Sequence, residues 1–504
     1  MAIRKQVEFM NNRYHGFVDV GNGLTADDST PMAKDALLLT AVSVNSSWKV
    51  PLGYFLIDSM SGKERANLMR ECLHRLHDIG VTTVSLTCDG PSRHISMLTE
   101  LGACMIPDHL RPSFQHPANP DATVHVMLDA CHMLKLVGNA FAEGMVATDN
   151  DQQDISWHFI ENLHKIQEKE GLRLANKLKT GHIEWRKQKM KVHLAAQVIS
   201  SSVADSIRFC EKNLQRQEFS QSDGTVNFLK TFDAIFDLLN SRNPCGKGQK
   251  APMKSTNKEQ WKHVIETGKK YILGLKDKQG YRLVDSKRKT GFMGFLACLE
   301  SVSNIFHRYV EQDMSLKYLL TYKLSQDHLE LFFSTIRARG GFNNNPTATQ
   351  FKAAYKRLLV RHNARATGNC TIGDKTAILH AVHDSAQVTE TWMALCRKYN
   401  ILEEKPEPVE DDLEQIPDLN PLSEFKESAI AYIAGYVVRM VEKRTRHCKR
   451  CVDALTDQKG QNHPFVLFKD RGGLQKASES VVRVCLETEK CIENMLRTTQ
   501  GQLP

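Results

Sequence analysis

In the first 135 residues, short β-branched runs alternate with stretches of helical period. Tyr14–Val20 (YHGFVDV) is short, aromatic and β-branched, and Gly21-Asn22-Gly23 follows it as a turn. Ala36–Val44 and Lys49–Leu56 read as two more strands, joined by the polar Asn45-Ser46-Ser47. Glu64–Ile79 sets Leu68, Met69, Cys72, Leu73, Leu76 and Ile79 at a helical period, and Gly80 closes it at the C-cap position. Val81–Cys88 is a continuous β-branched run, the pattern of a buried parallel strand, and Thr123–Leu128 repeats it. With a short helix near Ser92–Leu101, the order becomes β-β-β-α-β-α-β. That is the order of an RNase H-like core, and the predicted fold class is α/β.

From about Leu134 to Lys323 the period turns helical almost throughout, most clearly in Asn162–Leu178, Ile183–Leu214 and Val226–Leu239. A block of that size between a core strand and the next core helix is parsed as an insertion that splits the core. The core resumes at Ser325–Arg339, where Ser325 caps a helix and Leu329, Phe332, Phe333 and Ile336 supply its buried stripe. Glu403–Asp418 holds eight acidic residues, one Lys and three Pro, which bury no apolar area and read as a solvated linker. The predicted division is 1–136 (core, first part), 137–320 (helical insertion), 321–400 (core, second part, and following helices), 401–420 (acidic linker) and 421–504 (mainly helical C-terminal region).

Composition narrows the function classes. A 41% hydrophobic and 25% charged chain of 504 residues excludes wholesale disorder and collagen. No apolar run reaches the ~18–20 residues of a bilayer span, so no membrane partner is expected. Thirteen scattered cysteines favour reduced thiols over a disulfide framework. The net charge of +9 is concentrated in the insertion: nine Lys/Arg against three Glu over Lys165–Lys191, and thirteen against four acids over Lys247–Lys289. A polyanionic partner fits that distribution.

Phosphoryl transfer on an RNase H-like sheet needs carboxylates from separate elements to hold two Mg²⁺ ions. Asp19 lies inside the first predicted strand, between Val18 and Val20, where an unpaired charge is costly. Asp89 ends the fourth, followed by Gly90-Pro91, where open α/β sheets place their sites. Glu330 projects from the polar face that Asp327, Ser334 and Arg337 also occupy. Singly, each has an ordinary reading as a turn, cap or solvated residue; together they fill the three positions this fold uses. Cys448 and Cys451 form a CxxC, but no second close pair completes four ligands, so surface thiols are favoured over a structural zinc.

The string Leu324–Pro346, LSQDHLELFFSTIRARGGFNNNP, closely resembles the helix and following loop of P-element-type DNA transposases, the THAP-domain transposase family. Cys88–His94 (CDGPSRH), Asp129–Leu136 (DACHMLKL), Ala431–Arg439 (AYIAGYVVR), the Cys448/Cys451 pair and Lys469–Leu474 (KDRGGL) agree with it. The resemblance implies a split DDE-type core catalysing Mg²⁺-dependent DNA cleavage and strand transfer in the nucleus, as a homo-oligomer on DNA. By position, Asp19, Asp89 and Glu330 correspond to the catalytic, metal-ligating carboxylates. Asp129 is the rival for second place and, with His132, is otherwise a supporting residue. The resemblance also implies GTP in the insertion, with Asp237 and Asn240 as the guanine-reading pair and Asp327 as a third contact. It places the family's zinc-coordinating THAP domain upstream of residue 1. The alternative reading is a domesticated, catalytically inactive derivative that binds DNA or chromatin.

Overall fold

The computed structural model describes residues 1–360 except 11, 22–28, 146 and 342, together with 363–364, 376–377, 421–444, 448–456 and 463–498. The predicted acidic linker, His447, Phe342 and two residues of the Gly21-Asn22-Gly23 turn lie outside the described residues. The chain divides into two compact units, Met1–Leu379 and His380–Pro504.

In the first unit, strands β1 (Glu8–Met10) and β2 (Arg13–His15) form a small hairpin ahead of the main antiparallel pair, β3 (Asp35–Val42) and β4 (Lys49–Ile57). Residues 1–3 run antiparallel beside β3 through a single bridge, Ala2 to Asp35. Met1 and Ala36 exchange both backbone hydrogen bonds, at 2.9 and 2.8 Å, and Ile3 N–H donates to Lys34 C=O at 2.9 Å. On the far side of β4, Asp19 and Leu56 likewise exchange both bonds, at 2.8 and 2.9 Å. Because Ala36 faces Leu56 across β3 and β4, the residues Met1, Ala36, Leu56 and Asp19 stand side by side in four successive extended segments, of which only β3 and β4 are full strands; the predicted strand over Tyr14–Val20 is regular only in β2 and reaches β4 through the single Asp19–Leu56 bridge.

Helix α1 (Gly62–Asp78) starts at a complete capping box: Glu64 N–H donates to Ser61 Oγ, and the Glu64 carboxylate accepts from Ser61 N–H. Strand β5 (Ser85–Cys88) then runs parallel to β7 (Asn119–Leu128), with β6 (Ser113–His116) antiparallel on the other side of β7. The predicted strand over Val81–Cys88 is thus only its last four residues. The unforeseen β6 is four residues held between Pro112 and Pro117, too short for a visible period. Helix α2 covers Ser92–Leu101 and crosses α1 so closely that a Cβ on Gly62 would lie 2.2 Å from Ser96 Oγ.

Helix α3 (Ala130–Ala142) runs across the predicted 136/137 boundary without a break. The insertion continues through α4 (His158–Glu170), α5 (Thr180–Ile183), α6 (Val192–Val198), α7 (Ser201–Lys212), α8 (Asp223–Leu239) and α9 (Lys258–Gly274). Its three two-residue strands, Ala147–Thr148, Asp154–Ile155 and Lys276–Asp277, pair with one another, with one further bridge from Lys276 to Arg282, and none pairs with a core strand among the described residues. The last helix, α10 (Thr290–Phe306), lies on the core: Ser301 Oγ donates to Val126 C=O at 2.6 Å, and Cys298 Sγ to Leu128 C=O at 2.8 Å, both on β7. The expectation that the whole insertion stands clear of the sheet therefore does not hold for α10, whose apolar residues are buried on nearly every side.

Helices α11 (Asp327–Arg339) and α12 (Ala348–Val360) follow, and a two-residue strand pair, Asn363–Ala364 with Thr376–Ala377, comes after them in the first unit. Phe332, Phe333, Ile336 and Phe351 pack with Ile3, Ala36, Leu38 and Leu56, so the antiparallel strands and α11 share one core. The second unit contains α13 (Glu424–Arg444), α14 (Lys449–Leu455), α15 (Pro464–Lys469) and α16 (Glu479–Thr498). Ala431 and Ala434 of α13 pack on Val482 of α16, and Gly435 admits Gln475 C=O, which a Cβ would meet at 2.2 Å.

Candidate active site

Two elements of the parallel sheet and one returning helix meet at Asp129. This buried carboxylate caps α3: its Oδ2 accepts from His132 N–H at 2.9 Å, and its Oδ1 accepts from Gln326 N–H, the residue before α11, at 3.0 Å. Burial pushes its pKa up to about 6; the Gln326 and His132 amides oppose that rise, and the neighbouring Asp327 and Glu330 add to it. A second tie, Thr87 Oγ1 donating to Leu324 C=O at 2.9 Å, fixes the lead into α11 against β5. Glu330, in the first turn of α11, is thereby held over the ends of β5 and β7, with its charge at the favourable helix end.

Asp89 follows β5 and is oriented from α1 and α2. His94 Nδ1 lies 2.5 Å from Asp89 Oδ1, and Arg65 Nη1 lies 2.9 Å from His94 Nε2. A guanidinium only donates, so Nε2 is the acceptor and Nδ1 carries the proton, directed at the Asp89 backbone C=O at 3.2 Å with Oδ1 beside it. Burial alone would raise the Asp89 pKa, but the His94 hydrogen bond and the nearby imidazoles hold it below the usual carboxylate range. Lys135 of α3, itself buried, has Asp129, Asp89 and Glu330 around it, and its Nζ lies 3.2 Å from His132 Nδ1. Asp89, Asp129 and Glu330 therefore share one environment.

Asp19 does not join them. It stands three strands from Met1, ~14 Å at the usual ~4.8 Å between strands. Its side chain is half exposed; Oδ2 meets Lys352 Nζ of α12 at 3.4 Å and Oδ1 accepts from Gly21 N–H at 3.1 Å. The predicted convergence of Asp19 with Asp89 and Glu330 is absent because the stretch holding Asp19 pairs with the outer edge of β4, not with β3. Among the described residues, no three His, Cys, Asp or Glu side chains close into a ligand shell. Cys448 is exposed and Cys451 partly so, on the first turn of α14.

A second cluster joins the end of α8 to the start of α11. Arg242 donates to Asn240 Oδ1 at 3.0 Å and to Asp327 Oδ2 at 2.8 Å, bringing together two of the three residues expected to read guanine. Asp237, one turn before Asn240, faces Lys250 at 3.5 Å. The connection is built by Thr321, whose hydroxyl donates to Leu238 C=O and accepts from Ser241 N–H. Lys323 donates to the carbonyls of Ser43, Val44 and Ser46, anchoring the returning chain to the β3–β4 turn. Burial and the cations Lys49, Arg242 and Lys323 push His328 down to about 3, so it is neutral there. Nothing local in the sequence marks Arg242 or Arg65 as part of a site, and Lys135 shows only as a member of DACHMLKL. A surface Arg after a helix has no local mark of its partner, whereas His94 lay in view inside CDGPSRH.

The comparisons with known proteins follow the same division. Residues 1–102 match the family described as TNP-like, RNase H N-terminal domain. Residues 131–252 match the TNP-like, GTP-binding insertion domain, and 322–356 the TNP-like, RNase H C-terminal domain. Residues 421–503 match the C-terminal domain of DNA transposase THAP9. The chain is 30% identical to the human DNA transposase THAP9 over 99% of its own length and 56% of that protein. It is 26% identical to the Drosophila melanogaster transposable element P transposase over 89% of its own length and 56% of that protein. It thus spans about half the length of these curated relatives. The Drosophila P element transposase strand transfer complex shares the fold, with a TM-score of 0.59 at 23% identity, over 71% of this chain and 75% of that one.

Proposed function

This chain belongs to the P-element-type transposase family, and from that premise we propose that it carries the DNA-cleaving and strand-transferring core of such an enzyme, acting on DNA in the nucleus as a homo-oligomer. The observation that carries the reading is the pair of hydrogen bonds, Gln326 N–H to Asp129 and Thr87 to Leu324 C=O, that brings the start of α11 with Glu330 to the ends of β5 and β7, where Asp89 and Asp129 follow. The hard carboxylate oxygens of Asp89 and Glu330 fit Mg²⁺, which when bound would stabilise charge on a phosphodiester and activate a hydroxyl nucleophile. Asp129 has both oxygens engaged by backbone amides, so its part is to position Glu330. His94, locked by Arg65, keeps Asp89 aimed and ionised. Lys135 offsets the carboxylates' mutual repulsion and offers a cation to a phosphate oxygen.

The second cluster fits a guanine base. Arg242 presents a planar fork of N–H donors to Asn240 Oδ1 and Asp327 Oδ2, and the N1–H and N2–H₂ edge of guanine is a planar donor pair of the same kind. GTP held there by Asp237, Asn240 and Asp327 would lie on the same helix as Glu330, one turn away. One observation favours the second reading, a domesticated chain that binds DNA without cutting it: Asp19 stands on the far edge of the sheet.

The test is strand transfer of a pre-cleaved DNA end in Mg²⁺, with the chain fused to a competent DNA-binding domain. Glu330→Gln is expected to abolish transfer while leaving non-specific DNA binding nearly intact, and Asp19→Asn to retain transfer. Full activity of Glu330→Gln removes Glu330 from the mechanism, and inactivity of the parent chain selects the second reading.

A further inference from the structure

One turn of the insertion combines dense positive charge with an aromatic ring. Residues 184–191, between α5 and α6, read Glu-Trp-Arg-Lys-Gln-Lys-Met-Lys, four cations against one acid. The Arg186 guanidinium lies 5.7 Å and the Lys189 ammonium 5.0 Å from the centre of the Trp185 ring. Arg186, Lys187, Lys189 and Lys191 are exposed, and Met190 beside them is 72% exposed. Lys187 and Lys189 have acidic neighbours, Glu184 at 3.1 Å and Glu143 at 4.0 Å, too few to neutralise the turn.

The turn is fixed relative to the acid site by α3. Asn139 Nδ2 donates to Lys189 C=O at 3.2 Å, and Asn139 lies ten residues after Asp129 along one unbroken helix. At 1.5 Å per residue that is ~15 Å, about four base-pair steps of ~3.4 Å. Lys135, surrounded by the site's carboxylates, also lines a narrow crevice of about 30 Å³ with Asn139, Trp185, Gln188 and Lys191. The crevice is water-sized, so the turn offers an outer surface and not a pocket for a small ligand.

We propose that Trp185 is a stacking platform for an unpaired base in the DNA strand whose phosphate lies at Asp89 and Glu330, with Arg186, Lys187, Lys189 and Lys191 holding that strand's backbone. The inference rests on the strand-transfer reading above. A duplex keeps its base faces covered, so a ring in a phosphate-binding turn gains nothing from paired DNA. An unpaired base offers a π-face of any sequence, and cations around the ring favour the adjoining phosphates. The partner is thus DNA with a single-stranded segment near the reacting phosphate.

Binding of the full chain to three labelled probes tests this: a blunt 20-base-pair duplex, the same duplex with a five-nucleotide tail, and the tailed duplex with abasic residues in the tail. The parent chain is expected to bind the tailed duplex about five-fold or more tighter than the blunt one, the low end of a single base–aromatic stack. Abasic residues and Trp185→Ala should each remove that preference while blunt-duplex affinity stays unchanged, and Trp185→Phe should keep most of it. The proposal is overturned if Trp185→Ala retains the preference, if the abasic tail binds as well as the normal one, or if Trp185→Ala weakens all three probes equally. A parent chain that binds none of the probes overturns the DNA reading itself.

Discussion

Replacing Asp129 by Asn isolates the charge of the carboxylate that joins α3 to α11. Burial raises its pKa from the ordinary 3.8 to about 6, so the neutral form favours the folded state. That stability is fully present below about 3.8 and is lost as the pH rises through about 6. A rise of about two units corresponds to about 3 kcal/mol between the two ends of that window. Asn keeps one acceptor oxygen where Asp has two, so its NH₂ faces either the Gln326 or the His132 N–H donor and one buried hydrogen bond is lost, a cost of about 1–3 kcal/mol at any pH. Asp129→Asn should therefore be the less stable chain by about 1–3 kcal/mol near pH 3.5, and the difference should move by about 3 kcal/mol in its favour between there and pH 7. The assay is denaturant unfolding of both full-length chains across this range, in chelator so that no divalent cation relieves the carboxylate. Exchange protection of the Gln326 and His132 amides, followed in parallel, assigns the change to this joint. A difference that does not vary with pH, or a variant that loses stability as the pH rises, would falsify the reasoning.

Two further outcomes are expected. Asn240→Ala should lower GTP affinity at least ten-fold in equilibrium dialysis with no change for ATP, whereas a parent chain that binds both nucleotides equally refutes guanine reading by the Asp237, Asn240 and Asp327 cluster. Gly435→Ala should destabilise the second unit by about 1–3 kcal/mol, because the added Cβ meets Gln475 C=O at 2.2 Å; an unchanged thermal transition of that unit shows that the α13 contact gives way without cost.

Local physics made several features legible in the chain itself. The 3.6-residue period and the terminal glycine act within one element, so α2 runs over the expected Ser92–Leu101 and α11 closely follows its expected span; the cap expected of Ser325 is not formed, because α11 starts after Gln326 and the Ser325 hydroxyl donates to Tyr322 C=O. Asp89 was recognisable because the Gly90-Pro91 pair ends β5 and leaves its side chain at the sheet's edge. The split of the core was legible because a change of hydrophobic period persists over many residues. Register and partner choice are different in kind: they depend on which buried surfaces meet, and a strand's sequence does not say which edge it will join. Asp19 sits in a β-branched run that fits any sheet edge, and only the pairing of that run with Leu56 removes it from the acid site. The same holds for α10, whose Ser301 and Cys298 are ordinary helix residues until β7 offers them carbonyls. Arg242 reaches 85 positions along the chain to Asp327, and no local period encodes so distant an ion pair.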